Sequence, residues 1–311
     1  MKGSPSDSRI AEPRVIAAAA ELELAARRLA AGTLAGLHAS RRKGHSREFS
    51  QYRAYQQGDE SRLIDWRVYA RSDRYFLRES EVETRTSVRL VLDATASMQQ
   101  CDLARPAYRK FDAARTLAAA FAWIAESQGD PVELVAVSEG RVHSVPARSG
   151  GRPFARIVRA LASVEPGGRW PERGLGGSGA FALAPPGAGL GSASTELTII
   201  LTDGHEHAGE IRAALAPLRS RRREILFLHV VTREEEAFPY RGRVRFEEWE
   251  TGRVVEADAG TVRAAYLASH EARSQAWRRT WLDASYDYAR VVLDEPLERT
   301  LGAFLHRRSG A

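Results

Sequence analysis

The sequence predicts an α/β fold, a doubly wound and mainly parallel sheet, on three observations. Continuous apolar runs of strand length recur through residues 85–311 and alternate with amphipathic helical stretches. That is the pattern of a parallel sheet covered on both faces and joined by right-handed crossovers. Two of the runs, Val88 to Leu92 and Leu197 to Leu201, end in oxygen-rich turns, Asp93-Ala94-Thr95-Ala96-Ser97 and Thr202-Asp203-Gly204. Turns at the carboxyl ends of such strands converge on a crevice where strand order reverses. Finally, Val132 to Val145 is divided by Glu139-Gly140, a hairpin that puts one antiparallel strand at the sheet edge.

Residues 1–9, rich in Ser, Gly and Pro, read as a disordered lead. A helix follows from about Glu12 to Leu37. Glu21, Glu23, Arg27 and Arg28 interrupt its Ala-rich stretch, so it is amphipathic and not a membrane span. Together with a wrapping segment it fills residues 10–84. Phe49 to Arg78 is dense in Tyr, Trp, Arg and Asp without a clean period, and is expected to wrap over a domain surface, pinned by Arg–carboxylate forks with Trp66 buried. Within 85–311 the predicted strands are Ser87 to Leu92, Val132 to Ser138, Arg141 to Val145, Leu197 to Leu201, Ile225 to Val231 and Tyr288 to Val292. The predicted helices are Pro106 to Gln128, Pro153 to Val164, Glu210 to Arg221, Val262 to Trp281 and Leu297 to Arg307. A second hairpin, inserted at about 243–256, turns at Thr251-Gly252, and Glu165 to Ser194 is a long loop rich in Gly, Pro and Ser.

At 311 residues and 43% hydrophobic content the chain has ample material for one large core. A single cysteine, Cys101, excludes a disulfide framework and any multi-thiolate zinc or iron–sulfur site, and fits a reducing cytoplasm. Met1 to Arg14 is polar and lacks a secretory signal, so a cytoplasmic protein without a membrane span is expected. The net charge of +6 raises nucleic acid as a partner, yet 46 basic residues face 40 acidic ones. The dense basic runs, Arg219 to Arg223 and Arg41 to Lys43, carry no interleaved aromatics on which bases would stack, so nucleic-acid binding is not expected.

The chemistry concentrates at the two oxygen-rich turns. Magnesium takes near-octahedral oxygen ligands and keeps several waters, which suits hydroxyls and carboxylates. Asp93-x-Thr95-x-Ser97 sends one carboxylate and two hydroxyls off one turn, and Asp203 adds a second carboxylate from the other strand. Taken singly, each turn reads equally as a helix cap or an Asp-Gly turn. Jointly, at the ends of two strands, they read as one metal site. Gly174 to Gly179 matches G-x-G-x-x-G by letter but neither follows a strand nor opens a helix, so the dinucleotide context fails; its Ser178 is the candidate hydroxyl from the middle loop. His205-Glu206-His207 invites a zinc reading, but no third ligand is apparent and the H-E-x-x-H spacing is absent. The rival class is a metal-dependent phosphohydrolase using Asp93 and Asp203, although Thr95 stands where such enzymes carry a second carboxylate.

Gly44, Glu48 and Phe49, followed by Arg53-x-Tyr55-x-x-Gly58-Asp59-x-x-Arg62-x-Ile64-Asp65-Trp66-x-x-x-Ala70-Arg71, form the most specific pattern in the chain. With the Asp93, Thr95, Ser97 run and Thr202-Asp203-Gly204, it resembles the bacterial domain-of-unknown-function 58 family over about Gly44 to Arg307. Members of that family carry a von Willebrand factor A-like domain, a Rossmann-like fold. The resemblance implies a metal-ion-dependent adhesion site for magnesium, with manganese as the alternative. Thr95 and Ser97 would bind the ion directly, and Asp93 and Asp203 would act mainly through waters. A middle-loop hydroxyl, for which Ser178 is the candidate, would complete the protein's share, and a partner's acidic residue would take the open position. Thr95 replaces the usual Ser and keeps the hydroxyl. The transmembrane helices that many relatives carry ahead of this domain have no counterpart, so a soluble form is expected. Relatives are often encoded beside MoxR-type AAA+ ATPases, which implies a non-enzymatic adaptor or co-chaperone working with such an ATPase.

Overall fold

A computed structural model of the chain describes residues 13–41, 52–55, 66–78, 86–147, 152–170, 195–205, 209–215, 223–283 and 286–309. The chain divides into two compact units, one made of Met1–Ala35 with Arg85–Ala311 and the other of Gly36–Thr84. In chain order the first elements are α1 (Pro13–Arg41), β1 (Tyr52–Ala54), α2 (Trp66–Ser72), β2 (Phe76–Arg78), β3 (Thr86–Asp93), β4 (Cys101–Asp102), β5 (Arg105–Arg109) and α3 (Lys110–Ser127). There follow β6 (Val132–Ser138), β7 (Arg141–Val145), α4 (Pro153–Ser163), β8 (Thr195–Thr202), α5 (Glu210–Leu215) and β9 (Arg223–Val231). The chain ends with α6 (Arg233–Ala237), β10 (Arg243–Glu247), β11 (Val254–Asp258), α7 (Ala259–Asp283), β12 (Asp287–Val292) and α8 (Leu297–Ser309).

The larger unit is built on a six-stranded sheet in the order β12-β9-β8-β3-β6-β7. All neighbours are parallel except β7, which returns antiparallel from β6 at the edge, as the Glu139-Gly140 turn predicts. Counted along the sheet this is a doubly wound order, and it reverses between β3 and β8, the strands that carry the two oxygen-rich turns. The inner strands β3, β6, β8 and β9 read as continuous apolar runs because both faces are covered. Leu90 and Leu92 face a core that takes Leu22, Ala26, Leu29 and Ala30 from α1 together with residues of α3, α4 and α8. Val91 faces the opposite core, with Ile200, Phe227, Ile211 of α5 and Trp281 of α7. α1 buries its residues at the spacing of one helical face, and its Arg27 guanidinium lies 4.3 Å from the Trp123 ring centroid.

One charged group sits within this apolar frame. Arg89, 3% exposed on β3, pairs with Glu133 of β6 and lies 3.7 Å from Glu196 of β8. A lone buried guanidinium would be costly, so carboxylates on both flanking strands make the position tenable.

The elements differ from the sequence expectation at their ends. α3 starts at Lys110 and not Pro106, because Arg105–Arg109 pairs antiparallel with Cys101–Asp102, a hairpin whose two-residue strand is too short to show a period. α1 continues to Arg41, past the expected Leu37, and the short α6 was not expected at all. The inserted hairpin forms as β10 and β11, with Gly252 at φ +69 in its turn. Among the described residues no helix is long and apolar enough to cross a membrane.

In the smaller unit β1 pairs antiparallel with β2, and Tyr69 of α2 stacks on Tyr75 at 4.5 Å. Trp66, expected to be buried, is 58% exposed. Its ring stands edge-on to Tyr69 and Tyr75, contacts that a seven-residue helix with no buried residue makes sideways along the surface. Gly44, Glu48, Gly58, Asp59, Arg62 and Asp65 lie outside the described residues, as do the ion pairs expected of them.

Candidate metal centre

β3 and β8 are adjacent, so their carboxyl ends bring Asp93 and Asp203 to one place. Asp93 Oδ1 accepts hydrogen bonds from Thr95 N at 2.9 Å and Thr95 Oγ1 at 2.7 Å, folding the turn back on itself. Asp93 Oδ2 accepts from Thr202 Oγ1 at 2.6 Å and Trp170 Nε1 at 3.0 Å. Both oxygens are therefore engaged, and the residue is 0% exposed. Its role is to orient hydroxyls. Thr95 precedes a short 3₁₀ turn, Ala96–Gln99, yet its side chain makes no capping bond to it, so the helix-cap reading of this hydroxyl fails.

The hydroxyls line up instead with the second carboxylate. Thr95 Oγ1 lies 3.1 Å from Ser97 Oγ, and Ser97 Oγ lies 3.2 Å from Asp203 Oδ1. Thr95 gives its proton to Asp93 and Ser97 gives its proton to Asp203, which leaves lone pairs of both hydroxyls available to a cation. Neighbouring ligands on a magnesium octahedron with bonds of 2.0–2.1 Å are about 2.9 Å apart. The three oxygens come close to that spacing.

The segment after α4 threads past these strand ends. Gly167 N donates to Ala94 O and Ala96 N donates to Gly168 O, both at 2.9 Å. Gly168 has φ +64, and a Cβ there would stand 2.5 Å from Glu139 Cα, so the position accepts only glycine. This close passage delivers Trp170, 4% exposed, to Asp93. The described start of the middle loop thus supplies an indole N–H that orients a carboxylate. Ser178, the expected hydroxyl, lies outside the described residues, as do Gly174 to Gly179, Glu206 and His207.

A lysine completes the centre. Lys110, the first residue of α3, is 0% exposed, and its Nζ donates to Asp203 Oδ2 at 3.2 Å and to Glu235 Oε1 at 2.6 Å. Glu235 is held by a capping box: Thr232 N donates to Glu235 Oε2 at 2.8 Å, and Glu235 N donates back to Thr232 Oγ1 at 3.3 Å. One carboxylate oxygen caps α6 and the other grips the lysine. Burial alone would push the Lys110 ammonium down, but Glu235 and Asp203 more than reverse it and hold its pKa above the ordinary value. Burial likewise works to raise Asp203 and Glu235, and Lys110 leads the charges that bring both below the carboxylate range.

His229 buttresses Asp203 from below. Its Nε2 lies 3.0 Å from the Asp203 carbonyl and its Nδ1 2.7 Å from Tyr288 Oη. A carbonyl only accepts, so Nε2 carries the proton and Tyr288 donates to Nδ1. Burial pushes this imidazole down to about 4. His205, 3.6 Å from Glu235, is held up chiefly by the Asp203 charge. Among the described residues no cluster of three or more His, Cys, Asp or Glu side chains could hold a metal, so a site here depends on hydroxyls.

Charge also favours a cation. Burial, then the Asp203 charge, pushes Asp93 up to about 6 against the bonds from Thr202, Trp170 and Thr95. Asp93, Asp203 and Glu235 set three carboxylates against one buried ammonium. The donor set, its spacing and its residual negative charge fit a hard divalent ion. Lys110, Trp170, Glu235 and His229 were not identified from the sequence. Only Glu235 left a signal there, since Thr232-Arg233-Glu234-Glu235 spells a capping box.

Two mycobacterial proteins, Uncharacterized protein Rv1480 of Mycobacterium tuberculosis (strain ATCC 25618 / H37Rv) and Uncharacterized protein Mb1516 of Mycobacterium bovis, are each 27% identical to this chain over 249 residues. The match spans 79% of this chain and 74% of theirs. Among solved structures, conserved hypothetical protein BatB from Bacteroides thetaiotaomicron is similar at a TM-score of 0.41 and 14% identity, covering 73% of this chain and all of that one (100%). An aerotolerance-related membrane protein from Bacteroides fragilis, carrying multiple mutations to serines, is similar at a TM-score of 0.42 and 18% identity with the same coverage, 73% and 100%. The family model described as Protein of unknown function DUF58 matches residues 51–276, and the chain belongs to that family.

Proposed function

We propose that this chain is a protein-interaction module of the von Willebrand factor A-like kind, in which a magnesium-type ion bridges to an acidic residue of a partner. Thr95 and Ser97 are its direct ligands, Asp203 stands beside them, and Asp93 orients the set. The observation that carries the reading is the file of three oxygens, Thr95 Oγ1, Ser97 Oγ and Asp203 Oδ1, with both hydroxyl protons already directed to carboxylates. A divalent ion balances the residual negative charge of the centre and keeps an open position in its shell, which a partner carboxylate fills. Manganese suits the same oxygen set. A MoxR-type AAA+ ATPase is the partner the family resemblance points to, with this chain as adaptor or co-chaperone. The phosphohydrolase alternative is weaker, because Asp93 is enclosed and each of its oxygens already accepts two hydrogen bonds.

The test is binding of a purified MoxR-type AAA+ ATPase to the full chain, with magnesium and with a chelator. Binding is expected to fall at least tenfold on chelation and equally in Asp93→Ala. An Asp93→Ala protein that binds as tightly as the parent would remove the metal bridge.

A further inference from the structure

A groove of about 680 Å³ lies beside the metal centre, lined by Gln99 and Gln100 and by residues of the β10–β11 hairpin. Its floor is aromatic. Phe238, 2% exposed, packs on Tyr266 at 4.6 Å, Tyr240 at 5.1 Å and Phe246 at 5.7 Å between ring centroids. Phe238 ends α6 in left-handed backbone, φ 46, a conformation a bulky residue holds only where its surroundings enforce it. At the rim Trp249 is 52% exposed and Leu103 64% exposed. Large apolar side chains grouped at the mouth of a cleft and open to water mark an interaction surface.

The walls are acidic. Glu234, Glu235, Glu247, Glu248 and Glu250 line the groove against Arg245 and Arg273. Glu235 is bound to Lys110, and the other four carboxylates face Arg245, Arg273 and His205. The chain as a whole carries +6, so the groove inverts the charge of the molecule locally. Glu234 is 6% exposed; its Oε1 accepts from Leu103 N at 2.7 Å, while its Oε2 has no hydrogen-bond partner among the described residues.

We propose that this groove docks a segment of a partner protein that carries an arginine or lysine next to an apolar residue. The cationic head lies over the aromatic floor and against the glutamate wall, where ring faces and carboxylates both attract it. The apolar neighbour covers Trp249. This surface adjoins the metal centre through Glu235 and His205, and binding to it needs no ion.

The test uses the full chain and two fluorescein-labelled dodecapeptides, one with two arginines flanking a tryptophan and its twin with glutamates in their place, followed by anisotropy. The arginine peptide is expected to bind at least tenfold tighter than its twin, in magnesium and in chelator alike. Glu247→Lys with Glu248→Lys, both exposed positions, is expected to reverse the preference, and Trp249→Ala to weaken the arginine peptide several-fold. Asp93→Ala is expected to leave this binding unchanged, so failure of the groove and failure of the metal bridge are read separately. Equal binding of the two peptides overturns the proposal, as does a preference that survives the double charge reversal. Sedimentation that shows a dimer abolished by the same reversal also overturns it, by making a second copy of the chain the occupant.

Discussion

Lys110 sets the character of the centre. A buried ammonium between Asp203 and Glu235 neutralises part of the charge that a cation would otherwise face alone. Removing one partner of such a group leaves the other charges buried and uncompensated, which costs about 3–5 kcal/mol. Lys110→Met keeps the side-chain length and deletes the charge. It is expected to melt well below the parent in chelator, by roughly the shift those energies imply, and to recover a larger share of its stability on adding magnesium. Differential scanning fluorimetry of both proteins across a magnesium series measures this. A variant that loses stability but responds to magnesium no more than the parent would show that the lysine and the ion do not share the site's charge.

At the scale of elements, His229 ties β9 to the end of β8 through the Asp203 carbonyl and to β12 through Tyr288. The imidazole is neutral in the fold, where burial lowers it to about 4, and titrates near 6.5 when unfolded. Its contribution is therefore complete above pH 6.5 and is lost as pH falls through about 4, on the order of 3 kcal/mol in all. Asp93 runs the other way in the ion-free protein: raised to about 6, its contribution is complete below 3.8 and lost as pH rises through about 6. The difference between the parent and His229→Gln isolates the imidazole. Urea melts are expected to bring the two proteins together as pH falls from 6.5 to 4, and a constant gap would contradict the assignment. None of this tie was legible in the sequence, although the strands it joins were. Strands β3, β6, β8 and β9 announce themselves because a sheet buried on both faces demands unbroken apolar runs, whereas the exposed edge strand β7 is read from the Glu139-Gly140 turn. Asp93, Thr95, Ser97 and Asp203 announce themselves because polar oxygens interrupt such runs at their ends. Lys110 and His229 do not, because their partners come from distant elements: Glu235 is 125 residues from Lys110 and Tyr288 is 59 from His229. Trp170 is hidden in a Gly-rich loop, where the passage of Gly167 and Gly168 against Ala94, Ala96 and Glu139 fixes its direction.

For the whole molecule, the division of labour between core and centre decides what an ion does. Two apolar cores, one on each face of a six-stranded sheet, carry the fold, and Lys110 already compensates part of the acidic cluster. The protein should therefore differ from small metal-folded domains, which unfold when the ion is removed. Chelation is expected to leave a cooperative melt and native far-UV circular dichroism. An ion that binds only the folded state adds RT ln(1 + [L]/Kd), about 2.7 kcal/mol at a hundredfold excess over Kd. In a domain of this size each kcal/mol moves the melting temperature by about 2–4 °C, so saturating magnesium is expected to raise it by roughly 5–10 °C. Ser97→Ala removes one proposed ligand and its hydrogen bond to Asp203 but leaves both Lys110 ion pairs in place, and its melt is expected to lose most of that gain while staying near the parent's in chelator. If the parent shows no magnesium-dependent shift at millimolar concentration, the hydroxyl file does not hold an ion. If its cooperative melt disappears in chelator, the ion belongs to the fold and not to recognition.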